Sequence, residues 1–135
     1  MIDVADLLEQ GSAFLEDQRH AHMTRPVVYA RGVVSVEVQA TVGRTIFDQQ
    51  DQFGVIHRSE MRDYLVRAAN LVLDGEQATP RAGDRVRENV DGRVLVYEVM
   101  APGAQGGNEP PFRFSDPFRR TLRIHTKFIG EESAP

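Results

Sequence analysis

The residues best suited to chemistry lie in the stretch RTLRIHTK at positions 120–127. Arg123, His125 and Lys127 occupy alternate positions there, and such positions share one face of a β-strand. A guanidinium, an imidazole and an ammonium group on one face could bind phosphate, and the histidine could ligate a metal or transfer a proton. The same residue types are also typical of a solvent-facing strand. The opposite face carries the residues that we expect to be buried, which are Leu122, Ile124, Thr126 and Phe128.

The other histidines and the carboxylates form no pattern that identifies an active site. His20 and His22 are two residues apart at the predicted end of a helix, where they would not share a face, and His57 stands alone. The chain lacks the HExxH, GxSxG and GxxxxGK[ST] motifs, and its acidic residues are dispersed. The sequence therefore predicts no enzyme, no metal site and no cofactor, and it favours a contact surface over a catalyst at His125.

A second group of candidates lies in the proline-rich stretch PPFRFSDPFRR at 110–120. Aromatic and arginine side chains are interleaved there, a composition that is enriched in protein–protein interfaces. Two other readings stay open: the rings could fold back to cover the end of a barrel, or they could stack on single-stranded nucleic acid. Together with the strand above, the candidate interface residues are Phe112, Arg113, Phe114, Phe118, Arg119, Arg120, Arg123, His125 and Lys127.

One helix and several strands must position these side chains. Residues 2–22 place apolar side chains near one stripe, which predicts an amphipathic helix with Asp3 as its N-cap. From residue 27 the period changes to two, and the stretch VVSVEVQATV at 33–42 alternates most clearly. We expect a further strand at 62–67, which runs into a short turn.

Turns and loops separate the remaining strands. Pro80 and Gly83 shape a turn, and Asp91 with Gly92 suits the positive φ angles of a type I′ hairpin. The second arm of this hairpin, VLVYEV, is apolar on both faces and should be central in its sheet. Two long loops are predicted, at 43–60 and at 101–118. The second holds three glycines and four prolines, so it can be neither a helix nor a central strand.

These elements predict one mainly β domain over residues 1–135. Its fold class is a small antiparallel β-barrel or sandwich at 27–130, with an N-terminal amphipathic helix, two long loops and a frayed tail at 131–135. The absence of cysteine favours a reducing compartment such as the bacterial cytoplasm. No apolar run approaches the roughly 20 residues of a membrane span, and the acidic start MIDVADLLEQ is not typical of a signal peptide. A net charge of −4 argues against a general nucleic-acid binder.

The segment RDYLVRAANLVLDGEQATPRAGDRVRENVDGRVLVYEVMAP at 62–102 resembles the tailed-bacteriophage head–tail joining proteins, also called neck, stopper or head-completion proteins. In those proteins a strand of the type R-D-[FY]-L-[IV] precedes P..GD.[IV] and then DG...YEV. The matching positions here are Arg62 to Val66, Pro80, Gly83 to Val86, Asp91, Gly92 and Tyr97 to Val99. The stretch SDPFRRTLRIHTKFIG is similar to the last strand of such proteins, so the resemblance covers about residues 28–130.

The resemblance implies a structural virion protein that assembles in the host cytoplasm as a ring of six or twelve copies. Its partners would be a portal or adaptor protein on one side and a tail terminator or tail-tube protein on the other. Packaged double-stranded DNA would be met only in passing, and no membrane would be involved. In the stopper members a loop projects into the channel and closes it. The candidate channel residues here are Arg44, Asp48, Gln49, Gln50, Asp51 and Gln52.

Several alternatives stay open at this point. The N-terminal helix departs from the compact joining proteins, so a tail-completion or terminator role competes with the stopper role. A small β-barrel that binds single-stranded nucleic acid is a reading of a different class. It would use the residues Phe112, Phe114, Arg119, Arg120, Arg123 and Lys127. An enzyme is the last alternative, and His125 is its starting candidate.

Overall fold

The computed structural model describes residues 4–102 and 110–133, and this part of the chain is mainly β. It begins with helix α1 (Val4–Met23). The strands that follow are β1 (Arg25–Arg31), β2 (Val34–Gln50), β3 (Ile56–Arg67), β4 (Val72–Leu73), β5 (Glu76–Gln77), β6 (Arg85–Val90), β7 (Arg93–Val99), β8 (Phe112–Phe114) and β9 (Thr121–Ser133). A short 3₁₀ turn, Ala68–Asn70, follows β3 where the sequence predicted a turn. Within the described ranges, no helix has the length and apolar character needed to cross a membrane.

Six strands pair in a closed antiparallel ring, in the order β1-β2-β3-β9-β7-β6 and back to β1. Strand β8 adds a short edge beside the first part of β9, and β4 pairs with β5 as a separate small hairpin. Closing a sheet on itself removes the free edges that an open sheet would expose. The predicted fold class, a small antiparallel β-barrel or sandwich with an N-terminal helix, is confirmed.

Alternate residues of the strands fill the interior of the ring. On β2 the predicted alternation is observed, because the inner face consists of residues that belong to the core or pack against it: Val34, Val36, Val38, Ala40 and Val42. Strand β7 is central, as its apolar sequence predicted, with β6 on one side and β9 on the other. The turn between β6 and β7 has φ angles of 52° at Asp91 and 80° at Gly92, which are the signs that a type I′ turn requires.

The helix occupies the segment where the sequence placed it, but its apolar stripe is not buried. Leu7, Leu8, Phe14 and Leu15 are all exposed, although the helix lies against β2. An ion pair of 2.8 Å between Glu9 Oε1 and Arg120 Nη2 ties it to the segment before β9. Residues 2 and 3, including the proposed N-cap Asp3, lie outside the described part of the chain.

The prediction of a long loop at 43–60 is wrong, because strands β2 and β3 extend into these residues. Their pairing extends from Ala40 opposite Val66 to Gln50 opposite Ile56, which leaves a turn at 51–55. The sequence GRTIFDQQDQ looked like a loop because it lacks an apolar alternation. A hairpin that extends past the barrel has no core to face and therefore needs none.

Two further boundaries also differ from the sequence-based expectation. The tail does not fray at 131, since β9 continues to Ser133 and pairs there with Arg93 of β7. Within the predicted loop at 101–118, residues 112–114 form the short strand β8 at the edge of the sheet. Residues 103–109 of that loop and residues 134–135 of the tail lie outside the described part of the chain.

One end of the barrel interior contains a buried glutamate. Glu88 of β6 is 2% exposed and accepts hydrogen bonds from Arg62 Nη2 at 2.6 Å, Arg25 Nη1 at 2.9 Å and the Tyr64 hydroxyl at 3.1 Å. Burial alone would raise the pKa of Glu88, but the hydrogen bonds and the two guanidinium charges outweigh it and lower that pKa. This cluster joins β6 to β1 and β3 across the barrel.

The other end contains a second buried carboxylate, Asp84, at the start of β6. It accepts hydrogen bonds from the Tyr29 hydroxyl, from Arg31 Nη2 at 2.8 Å and from the backbone N–H of Arg81 at 3.0 Å. Burial opposes ionisation of Asp84, yet its donors, with Arg31 foremost, lower the pKa of this carboxyl group. The β4–β5 hairpin lies at this end: Leu73 belongs to the core, and Arg31 Nη2 also donates to the carbonyl oxygen of Thr79, two residues after β5, at 2.7 Å. We call it the capped end.

Replacing Glu88 with glutamine should destabilise the fold strongly. The substitution keeps the shape of the side chain but removes the buried charge that Arg62, which is 30% exposed, shares with the more exposed Arg25. We expect a loss of about 3 kcal/mol in the free energy of unfolding, measured by urea denaturation at pH 7. The matched control is Glu60→Gln, because Glu60 is exposed and meets Arg44 only at 3.8 Å. Equal stability of the two variants would contradict the role of the cluster.

Candidate functional site

Arg123, His125 and Lys127, which the sequence places as a cationic row on β9, are not all exposed to solvent. His125 is 4% exposed, and its Nδ1 lies 2.8 Å from Oδ1 of Asp63. Arg123 Nη1 donates to Oδ2 of the same carboxylate at 2.7 Å. Lys127 is exposed. The expectation that His125 is a surface contact residue is therefore wrong, because the pairing of β9 with β3 sets His125 opposite Asp63.

Asp63 is the centre of a polar cluster that the sequence did not reveal. The carboxylate is fully buried, and the Thr45 hydroxyl on β2 also donates to it. Gly43 lies opposite Asp63 on β2, and a Cβ there would come within 3.4 Å of the Arg123 guanidinium. Burial opposes ionisation of Asp63, but the hydrogen bonds from His125, Thr45 and Arg123 lower its pKa. The cluster ties three strands together.

The buried position of this cluster decides what its chemistry can be. An imidazole beside a carboxylate is the pair that orients a general base in hydrolases. Here both groups are shielded from solvent and the carboxylate is already occupied by Thr45 and Arg123, so the pair serves as a structural tie. In the described ranges no three histidine or acidic side chains converge as a metal site. The side chains of His20 and His22 lie outside the description.

The aromatic residues before β9 divide into a packed group and an exposed one. Phe112 and Phe114 pack against the core and against each other, with ring centroids 6.0 Å apart. This arrangement matches the covering role that the sequence left open for them, and it leaves neither ring free to stack on a base. Phe118 is exposed at the surface beside Arg120, whose guanidinium lies 5.8 Å from the centre of its ring.

The arginines of this segment are held by a turn at Asp116. The Asp116 carboxylate accepts hydrogen bonds from the backbone N–H groups of Phe118, Arg120 and Thr121. Arg119 has a positive φ of 57°, and its guanidinium lies 5.6 Å from the Phe114 ring centre. Arg113 and Arg119 are exposed, while Arg120 reaches the helix through its ion pair with Glu9. The exposed part of the predicted interface is therefore smaller than the sequence indicated.

The candidate channel residues lie on a projecting hairpin. Strand β2 pairs with β1 only as far as Ala40, and β3 pairs with β9 only from Arg62 onward. Residues 44–61 therefore form a two-stranded ribbon, which we call the arm. The channel candidates on β2 are Arg44, Asp48, Gln49 and Gln50, and those in the turn of the arm are Asp51 and Gln52. The side chain of Gln49 lies outside the description.

The charges of the arm are paired within the arm. Arg44 meets Glu60 at 3.8 Å, and Arg58 meets Asp48 at 3.6 Å. At the turn, His57 Nε2 lies 2.8 Å from Asp51 Oδ2. The hydrogen bond with His57 lowers the pKa of Asp51, and the same carboxylate also accepts the backbone N–H groups of residues 53 and 55. The arm therefore presents little net charge to its surroundings.

The far end of the arm is apolar and exposed. Phe53 is 81% exposed and Ile56 is 68% exposed, and Val55 between them in the chain is also exposed. An isolated two-stranded hairpin is only marginally stable in water, and a cluster of exposed apolar side chains marks a contact surface. The end of the arm therefore has the properties of an interface that is uncovered in the single chain.

A cavity of about 620 Å³, which we call the mouth, lies where the arm leaves the barrel. Arg44 and Glu60 of the arm line one side of the mouth, and Lys127 and Phe128 of β9 line the other. At its floor the Arg62 guanidinium lies 5.0 Å from the centre of the Tyr97 ring and 5.3 Å from that of Tyr64.

Phe128, which the sequence placed in the core, is 55% exposed at the mouth. The pairing of β9 with β3 ends at Thr126, so Phe128, the next inward-facing residue of β9, has a strand beside it only on the β7 side. Its ring packs at an edge against Tyr97, with centroids 5.6 Å apart. The expected burial of Leu122, Ile124 and Thr126 agrees with the structure, while that of Phe128 is wrong.

Comparison with known proteins identifies a family over nearly the whole described chain. The family model of the phage head-tail joining protein matches residues 5–133. The match includes the helix, the ring of strands, the arm and the mouth. A search of curated proteins finds no match to the chain.

Acid should destabilise the fold, and Asp63 should account for part of the effect. Lowered pKa values at Asp63, Asp84 and Glu88 mean that the folded state holds fewer protons than the unfolded state. Their contribution to stability is complete above the ordinary carboxyl pKa of about 4 and is lost as the pH falls below it. Urea denaturation at pH 7, 5, 4 and 3 measures this loss.

The variant Asp63→Asn should flatten the pH dependence between pH 5 and pH 3, because it removes one of the three groups. The control is Asp48→Asn, whose carboxylate is exposed and lies 3.6 Å from Arg58. That variant should keep the slope of the native chain. A slope that is unchanged in Asp63→Asn would show that Asp63 does not contribute.

Proposed function

The chain belongs to the phage head-tail joining protein family, and we propose that its copies form a ring that joins the portal or its adaptor to the tail and helps retain packaged DNA. Family membership supports a structural role in the neck of the virion and contact with head and tail components. The ring, its six or twelve copies and the retention of DNA are the finer parts of the proposal. The observation that carries them is the arm, which extends from a closed barrel and ends in exposed apolar side chains.

The arm suits a closure made by several copies. Its apolar end cannot be covered by its own two strands, so the ends of neighbouring arms would pack together where they converge. Such a cluster of Phe53, Val55 and Ile56 side chains would block the path of DNA through the ring. The arm would then act as the segment that the resemblance assigns to channel closure, with Asp51 and Gln52 at the turn.

The internal pairing of charges on the arm supports the same role. Tight binding of DNA requires unpaired cations that neutralise phosphates and release counterions. On the arm, Arg44 and Arg58 face carboxylates, so their charges are largely compensated. A segment of this kind would obstruct DNA sterically and would hold it weakly once the arms part.

The exposed residues before and on β9 are our candidates for contact with the neighbouring proteins of the neck. Arg113, Phe118 and Arg119 form one exposed group, and Lys127 lies apart from them at the mouth. A tail-completion role would use the same arm and the same exposed groups, with the tail tube as the main partner. The two roles differ in which half of the virion fails when the protein is lost.

Loss of the gene tests the proposed role directly. In the phage that encodes the chain, an amber mutation should yield separate heads and tails, with heads that lose their DNA, as seen by negative-stain electron microscopy. A defect confined to the tails would instead support the tail-completion role. Mass photometry of the purified chain with its portal should show a ring of six or twelve copies. A chain that stays monomeric and never joins portal or tail would refute the proposal.

The variant Phe53→Asp tests the closure by the arms. A carboxylate at the end of each arm would prevent the apolar ends from packing, while the barrel and its clusters are untouched. We expect unchanged thermal stability and ring size, but at least a tenfold loss of DNA-containing particles in complementation of the amber mutant. Gln52→Asp is the control, since Gln52 is an exposed polar neighbour in the same turn. Normal DNA retention by Phe53→Asp would exclude closure through this residue.

A further inference from the structure

We propose that the mouth of one copy receives the acidic turn between β4 and β5 of a second copy, so that copies associate head to tail. This contact rests on the proposed function in one respect, because it names the surfaces through which the copies of the ring would meet. The mouth and the turn lie at opposite ends of the barrel. Strand β3 runs from Arg62 at the mouth to Arg67 at the capped end, just before the 3₁₀ turn and β4.

The mouth carries one cation that forms no ion pair within the described ranges. Of the three cations that line it, Arg62 is bound to Glu88 at 2.6 Å and Arg44 faces Glu60 at 3.8 Å. The third, Lys127, is exposed and has no such partner, although Glu98 lies opposite it on β7. Lys127 lines the mouth together with the rings of Tyr97 and Phe128, so its ammonium group is available for carboxylates of a partner.

The turn between β4 and β5 supplies such carboxylates. Asp74 and Glu76 are exposed on either side of Gly75, and neither forms an ion pair within the described part of the chain. Positive φ angles of 54° at Asp74 and 80° at Gly75 make the turn tight. Leu73 anchors the turn in the core, so the two carboxylates project from a fixed base.

Apolar side chains match across the same contact. Phe128 is exposed at the mouth, and Ile46 is exposed on the arm just beyond Arg44. Val72, at the start of the β4–β5 hairpin, is also exposed. Docking of the turn in the mouth would bring Val72 toward Phe128 and Ile46, so the contact would combine ion pairs with the removal of apolar surface from water.

The contact joins two different surfaces of the same chain, so every copy carries both a mouth and a β4–β5 turn and can contact two neighbours. Such heterologous contacts generate a closed ring when the rotation between copies closes, and an open chain when it does not. This geometry leaves the exposed arginines before β9 free to meet other proteins.

A charge exchange tests the contact. Lys127→Glu makes the mouth more acidic, and Glu76→Lys reverses part of the turn. Each variant alone should associate with itself about tenfold more weakly than the native chain in mass photometry, because like charges then face each other. An equimolar mixture should recover association, since each variant offers the surface that the other lacks. Added salt should weaken the association of the native chain.

Two matched variants control for the charge change itself. Arg113→Glu lies on an exposed position of β8 and Glu37→Lys on an exposed position of β2, and both should associate as the native chain does. Thermal unfolding verifies that all variants are folded. This contact would be overturned if both single variants form rings as the native chain does, or if the mixture does not recover association. Either result would leave the proposed ring intact. A native chain with no self-association would overturn both.

Discussion

The pairing of arginine with buried carboxylates is the interaction on which this barrel depends. Glu88 joins β6 to β1 and β3, and Asp84 joins β6 to β1 at the capped end. Asp63 joins β3 to β2 and β9. A buried carboxylate without partners would be too costly to keep in the folded state, so each cluster holds several strands in one relative position. The planar guanidinium, with its fixed set of donors, fits this task better than a lysine would.

Because the ring of strands is closed without the arm, most side chains of the arm are not needed for packing in the barrel. The hydrogen bonds and the clusters close the barrel as far as Arg62 and Thr126. Met61 is the last buried apolar residue on the arm side of β3, and the apolar side chains at the end of the arm are exposed. These exposed side chains are available for contacts with other molecules. Exposed apolar residues at the end of the arm and exposed cations at the mouth are two results of the same geometry.

Local patterns in the sequence predict most of the fold. The alternation in VVSVEVQATV, the Asp91–Gly92 turn and the apolar second arm of that hairpin each depend on residues close together in the chain. The site depended on contacts that no local pattern contains. His125 meets Asp63 only through the register of β9 against β3, and a shift of one residue would have left it on the other face. The sequence of the arm shows no alternation, because most of its residues face no core on either side.

The register of β2 against β3 has a mechanical consequence. The two strands pair over eleven residue pairs, from Ala40 opposite Val66 to Gln50 opposite Ile56. A force that displaces one strand of the arm lengthwise along the other loads these hydrogen bonds in parallel, as in shear, and the bonds share the load. A force that separates the strands at their base would break them one after another. The arm is therefore stiff against lengthwise sliding of its strands and weak against peeling.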